Sequence, residues 1–358
     1  VAFDSEYLAG EFKIQRYENL GLVEDKLNNI SQAFSAYRKM NEATIQEHGS
    51  YSAEIELLFG DLDARKQDIQ SYVRNRDRSF PFEDNSPRIG FVVGFPRSGT
   101  TLLDTILRSH SSITVIEEKP LLQHALYKVF GGTVPKIDDI SDKQKMLLRK
   151  TYLERCEEHL GDEYKNGNLI IDKLPLNLSW LPYLDIMFPG APIIFAARHP
   201  YDTILSNFMQ NFALNSSMAC MLNLNTAAEL YVFCMDIFEA SVKNLDLNVH
   251  LYRYESIVID FDNEVSKLLA FLELDWEDEV RDYRKTAMAR GKINTPSFKQ
   301  VVQPIYSESA YRWERYKVFI SEIFPQIEPY VEKLGYSDCG AEDTWEFANS
   351  FLNNKPLR

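Results

Sequence analysis

A chain of 358 residues, 45% hydrophobic and 26% charged, has material for one large domain or two ordinary ones around a sizeable core. Its 39 lysines and arginines face 53 aspartates and glutamates, and the formal charge of -14 opposes non-specific binding to nucleic acid or to an anionic membrane. The four cysteines, Cys156, Cys220, Cys234 and Cys339, form no CxxC pair and keep no zinc-ligand spacing with the six histidines, against a disulfide scaffold or a structural zinc. No apolar run approaches the roughly 18 residues of a membrane span, and the opening VAFDSE lacks the pattern of a signal peptide, so a cytoplasmic protein is expected.

From Tyr7 to about Val73 the sequence is polar and almost free of proline, with Leu20, Val23, Leu27, Ile30, Phe34 and Tyr37 at helical spacing. This predicts a helical segment. Leu20-Gly21 followed by Ala33-Phe34 and Tyr37 resembles one tetratricopeptide unit; no second copy follows at a period of about 34 residues, so a repeat remnant and a plain helical hairpin both stand. The stretch 75–87, NRDRSFPFEDNSP, has the two prolines and many charges of a linker. The expected division is a helical segment with its linker over 1–85 and a larger domain over 86–358.

After the linker, short apolar runs alternate with longer helical patterns. Residues 88–94 (RIGFVVG) read as a buried strand and Thr101 to Ser109 as the helix after it. Further strands are expected at Asn168 to Asp172, Ala191 to Ala197 and Val249 to Tyr254. Continuous apolar strands separated by helices indicate an α/β fold, a P-loop-like parallel sheet covered by helices on both faces. Ligands in such sheets bind where strands end and helices begin.

Residues 94–101, GFPRSGTT, set the GxxxxG frame of a P-loop between a strand and a helix, where backbone N–H groups cradle phosphate oxygens. Thr100 occupies the position of the Walker lysine, which disfavours ordinary ATP or GTP hydrolysis. A cation is present within the loop instead, as Arg97.

Here a resemblance becomes specific. Pro96 to Thr101 resembles the 5′-phosphosulfate loop of sulfotransferases that use 3′-phosphoadenosine 5′-phosphosulfate (PAPS), and residues 198–206, RHPYDTILS, resemble their 3′-phosphate motif, gripped by Arg198 and Ser206. The likeness runs from about Arg88 to about Lys317. It is greatest to the tyrosylprotein sulfotransferases and to bacterial sulfotransferases with tetratricopeptide repeats. The resemblance implies cofactor contacts from Arg97, Ser98, Gly99, Thr100, Thr101, Arg198, Ser206, Tyr254, Ser297 and Arg312. It implies Glu118, in the IEEK stretch 116–119, as the base, with Glu117 as the alternative. Lys173, ending the NLIIDK run, matches the lysine that steadies the transferring sulfuryl group, and Ser297, in the stretch 297–305, a serine facing the leaving phosphate. The sequence departs from the tyrosylprotein pattern at Gln303, where lysine is usual, and at Gln210, where a second arginine would follow the serine.

The chemistry requires a base for the acceptor and cations for the equatorial and leaving oxygens, and each has a candidate. Small-molecule sulfotransferases of similar fold use a histidine base, but His110 and His124 lack that local pattern and His199 is expected to pack. The expected enzyme moves a sulfuryl group from PAPS to a peptide tyrosine, small phenol or alcohol, releases PAP and needs no metal. Nucleic acid and membrane are not expected partners, and a homodimer is left open. The rivals are a phosphotransferase with a degenerate P-loop and a non-catalytic helical-repeat interaction protein.

Overall fold

A computed structural model describes residues 10–72, 87–289 and 310–336. Five parallel strands, β1 (Ile89–Gly94), β2 (Ile113–Glu117), β3 (Leu169–Lys173), β4 (Pro192–Ala197) and β5 (Asn248–Arg253), form one sheet in the order β2-β3-β1-β4-β5. Parallel strands must be joined by crossovers, and those crossovers cover both faces. Every residue of β1 and β3 is accordingly buried. Val92, Ile171 and Ile194 share a core with Leu103 and Ile106 of α4 (Thr100–Arg108). On the opposite face Phe91 packs on Tyr152 and Phe188, and Phe195 stacks on Phe238 at 4.1 Å between ring centroids.

The expected strands are present within a residue of their expected ends, with two differences. The apolar run Ile113 to Ile116 is itself a strand, β2, on the sheet edge. Tyr254 is not the last residue of β5; it opens the helix Tyr254–Ile259.

The chain divides into two compact units that interleave in sequence, one of residues 1–63, 199–235 and 308–358, the other of residues 64–198 and 236–307. The second contains the whole sheet. In the first, the N-terminal segment is not one continuous stripe of helix. It breaks at Leu27 to Asn29, where Asn28 takes a left-handed φ of 60°, to give α1 (Gly10–Lys26) and α2 (Ile30–His48) before α3 (Ser52–Ser71). The turn resets the helical phase, so Leu20, Val23 and Leu27 are exposed while Ile14, Gly21, Ala33, Tyr37 and Met40 form the buried face. Among the described residues no helix is long and apolar enough to cross a membrane.

The hairpin depends on a small residue where its helices touch, since a Cβ on Gly21 would lie 2.7 Å from the Tyr37 ring. Gly21→Val is therefore expected to destabilise the protein by about 1–3 kcal/mol. Thermal unfolding followed at the helical circular-dichroism band checks this; an unchanged midpoint would mean that the contact relaxes freely.

Candidate active site

The connection from β1 goes to β2 on one side of the sheet and the connection from β4 goes to β5 on the other, so the order reverses between β1 and β4. Such a switch point opens a crevice at the carboxyl ends of the strands. The loop after β1 leaves it tightly: a Cβ on Gly94 would sit 2.4 Å from the Ala196 carbonyl oxygen of β4. The turn closes with the Ser98 N–H donating to the Phe95 carbonyl at 3.3 Å. Arg97 and Gly99 both take left-handed φ, 69° and 85°. Alternating handedness of this kind turns successive N–H groups inward as an anion cradle.

Gly99 is also the N-cap of α4, with no side chain to cap the first-turn N–H groups. Those donors and the positive end of the helix therefore serve the loop. Ser98, Thr100 and Thr101 are buried around it. Arg198, just past β4, donates from Nη1 to the Arg97 carbonyl at 3.3 Å, and its guanidinium lies 5.3 Å from the centre of the Tyr254 ring. That ring in turn covers Gly99, where a Cβ would meet it at 2.8 Å. Arg97, Arg198 and Tyr254, from the ends of three strands, thus form one cluster.

A second cluster stands at the ends of β2 and β3. Lys173 is paired in register with Val92 of β1 and Glu117 of β2. Its side chain is fully buried and donates from Nζ to Glu118 Oε1 at 2.7 Å and to Glu117 Oε1 at 3.2 Å. Glu118 leaves the strand with a left-handed φ of 49°, anchored by its N–H to the Lys173 carbonyl at 2.8 Å.

Sequence reasoning missed a polar network beneath this lysine. Asp172 leaves β3 on the opposite face, where Tyr152 donates to it at 2.7 Å and the Asn177 amide at 3.3 Å; the Gln123 amide then donates to Asn177 at 3.1 Å. The available signal was a carboxylate within an otherwise apolar run. Burial pushes its carboxyl up to about 7, while the Tyr152 hydrogen bond and the Lys173 charge pull the other way.

Other expected site residues lie in the first unit or outside the described residues. Ser206 is buried on the helix Pro200–Phe208. Arg312 occupies the N-cap position of the helix Trp313–Ile320, without a side-chain cap bond, and pairs with Asp25 of α1 at 3.0 Å. Gln210 donates to the Asn211 carbonyl at 3.2 Å. Ser297 and Gln303 fall outside the described residues. The histidines pack as expected where contacts define them: His110 bonds the Asp275 carbonyl at 2.9 Å, and His199 stacks on Trp313 at 5.0 Å. No group of three or more His, Cys, Asp or Glu suited to a metal ion occurs among the described residues.

Asp172 generates a pH prediction. In the unfolded chain it titrates at its ordinary 3.8, and in the fold near 7, so between those values the folded state holds the extra proton. Its contribution to stability is full below the lower value and is lost as pH rises through the upper one. Wild-type protein is expected to lose stability relative to Asp172→Asn between about pH 4 and pH 7. Denaturant titrations across that range check it, and parallel profiles would count against it.

Residues 90–278 match the model of the Sulfotransferase family, more than half of the chain. An uncharacterized protein of Aquifex aeolicus is 32% identical over 335 residues, covering 87% of this chain and 42% of the relative. Protein-tyrosine sulfotransferase 1 of Danio rerio is 26% identical over 282 residues, covering 74% of this chain and 76% of the relative. This chain therefore spans less than half the length of the Aquifex protein. Among solved structures, a sulfotransferase domain from the curacin biosynthetic pathway aligns with a TM-score of 0.46 at 20% identity, covering 68% of this chain and 98% of that one.

Proposed function

The chain belongs to the sulfotransferase family, and from that premise we propose that it transfers a sulfuryl group from PAPS to an acceptor hydroxyl, with a peptide tyrosine as acceptor. The observation that carries the reading is the pair of clusters on one sheet edge: an anion cradle backed by Arg97 and Arg198, and a lysine flanked by carboxylates one strand away. The named activity of the Danio rerio relative supports the tyrosine acceptor.

In this reading the loop 94–101 holds the 5′-phosphosulfate and Arg198 the 3′-phosphate, with Tyr254 steadying Arg198. Ser206, Ser297 and Arg312 complete the contacts by resemblance. The acceptor oxygen attacks sulfur in line, its proton passes to the Glu118 carboxylate, and the sulfur–oxygen bond to the 5′-phosphate breaks with its electron pair left on PAP. Arg97 and Lys173 stabilise the charge that gathers on the equatorial and leaving oxygens. Donors placed by the fold before reaction need no rearrangement when that charge develops. A metal has no role in these steps.

Binding and chemistry separate by substitution. The 3′-phosphate carries the same charge in ground and transition states, so Arg198→Ala is expected to weaken PAP and PAPS alike. Glu118→Gln is expected to bind PAP normally while turnover falls about 10²–10⁴-fold. Calorimetric titration with PAP, beside transfer from sulfur-labelled PAPS to a tyrosine-containing peptide, reads both. PAP is also expected to raise the melting temperature far more than ATP. Equal stabilisation by ATP would return the site to a phosphotransferase.

A further inference from the structure

The two carboxylates on Lys173 are not equivalent. Glu117 is the last residue of β2 and faces Lys173 directly in the ladder, so the sheet fixes its position; its side chain is 16% exposed. Glu118 has left the ladder by a left-handed turn, and its side chain is 41% exposed, open to an arriving acceptor. Between them lies an ammonium with no exposed surface, and an ion so desolvated needs a counter-charge held close.

The proposed reaction makes unequal demands on the pair. As Glu118 takes the acceptor's proton it becomes neutral, and Lys173 loses one of these two counter-charges in the same step in which its own charge is needed at the leaving oxygen. We infer that Glu117 is a positioning residue for Lys173: it holds a constant negative charge against Nζ through the cycle, keeping the ammonium at the strand end while Glu118 changes charge. This rests on the sulfuryl-transfer reading and deepens it, dividing the adjacent glutamates into one that moves a proton and one that does not. Among the described residues, carboxylates acting on Lys173 include Glu117 at the end of β2, Glu118 just after it and Asp172 from its own strand.

The test uses sulfur-labelled PAPS with a tyrosine-containing peptide, and PAP titration, on Glu117→Gln, Glu117→Asp, Lys173→Met and the Glu117→Gln/Lys173→Met double variant. Glu117→Gln is expected to lower kcat roughly 10–100-fold and leave PAP affinity within about threefold. Glu117→Asp, which keeps the charge, should recover most of the turnover. In the Lys173→Met background Glu117→Gln should cost less than about twofold, because the part of its effect that runs through Lys173 needs that lysine. The inference is overturned if Glu117→Gln keeps normal turnover, if Gln and Asp are equally damaging, or if the loss is the same in both backgrounds, the mark of a structural role. It is also overturned if Glu117→Gln abolishes turnover while Glu118→Gln does not, since Glu117 is then the base. Failure of the underlying reading has its own signature: Lys173→Met retains turnover.

Discussion

The buried ammonium of Lys173 is the charge around which the edge of the sheet is organised. A desolvated cation is tolerable only with partners held close, and both carboxylates here come from the end of β2. That requirement fixes the pairing of β2 with β3, because a slip of one residue would carry Glu117 to the opposite face. The next pairing is constrained too: Lys173 lies beside Val92 of β1, the strand that leads into the anion-binding loop. One ladder register therefore brings the lysine, its carboxylates and the loop to neighbouring strand ends.

The first unit has a corresponding tie. The helical hairpin shares a compact body with the segment after Arg198 and with the helix Trp313–Ile320. Phe34 of α2 stacks on Phe208 and on Phe319, and the Asn41 amide donates to the Phe208 carbonyl at 2.9 Å. Asp25 of α1 pairs with Arg312, while the Tyr316 hydroxyl donates to Asp25 at 2.6 Å. The Trp313 backbone N–H donates to Asp202, on the helix that carries Ser206, at 2.7 Å. Aromatic packing and a largely buried ion pair thus join the hairpin to the element carrying half of the expected 3′-phosphate motif.

Strands β1, β3 and β4 were legible because burial on both faces writes a continuous apolar run into the sequence. β2 has the same texture, but its five residues read only as a short apolar run. In the helical segment the apolar spacing continues through Leu27 into Ile30, and the turn at Asn28 breaks its phase; no glycine or proline marks that turn. At the site, Arg97, Arg198, Glu118 and Lys173 were readable one at a time, each following an apolar run. Their partnerships were not. Lys173 and Glu117 are 56 positions apart, Tyr152 and Asp172 are 20 apart, and the register that joins such groups is a property of strand pairing that local spacing does not encode.

An acidic chain can still hold a polyanion if the few cations that matter are fixed before the ligand arrives. The fold already gives two of them an oxygen partner: Arg198 has the Arg97 carbonyl, and Lys173 has Glu117 and Glu118. A phosphate or sulfate oxygen can therefore approach a cation whose desolvation the fold has already offset. The loop adds backbone N–H donors, which carry no net charge and do not depend on the protein's overall balance. With net charge -14 spread over the chain and positive ends gathered at one sheet edge, long-range attraction is weak and the local field governs binding. Such a site discriminates by the position of each oxygen rather than by total charge.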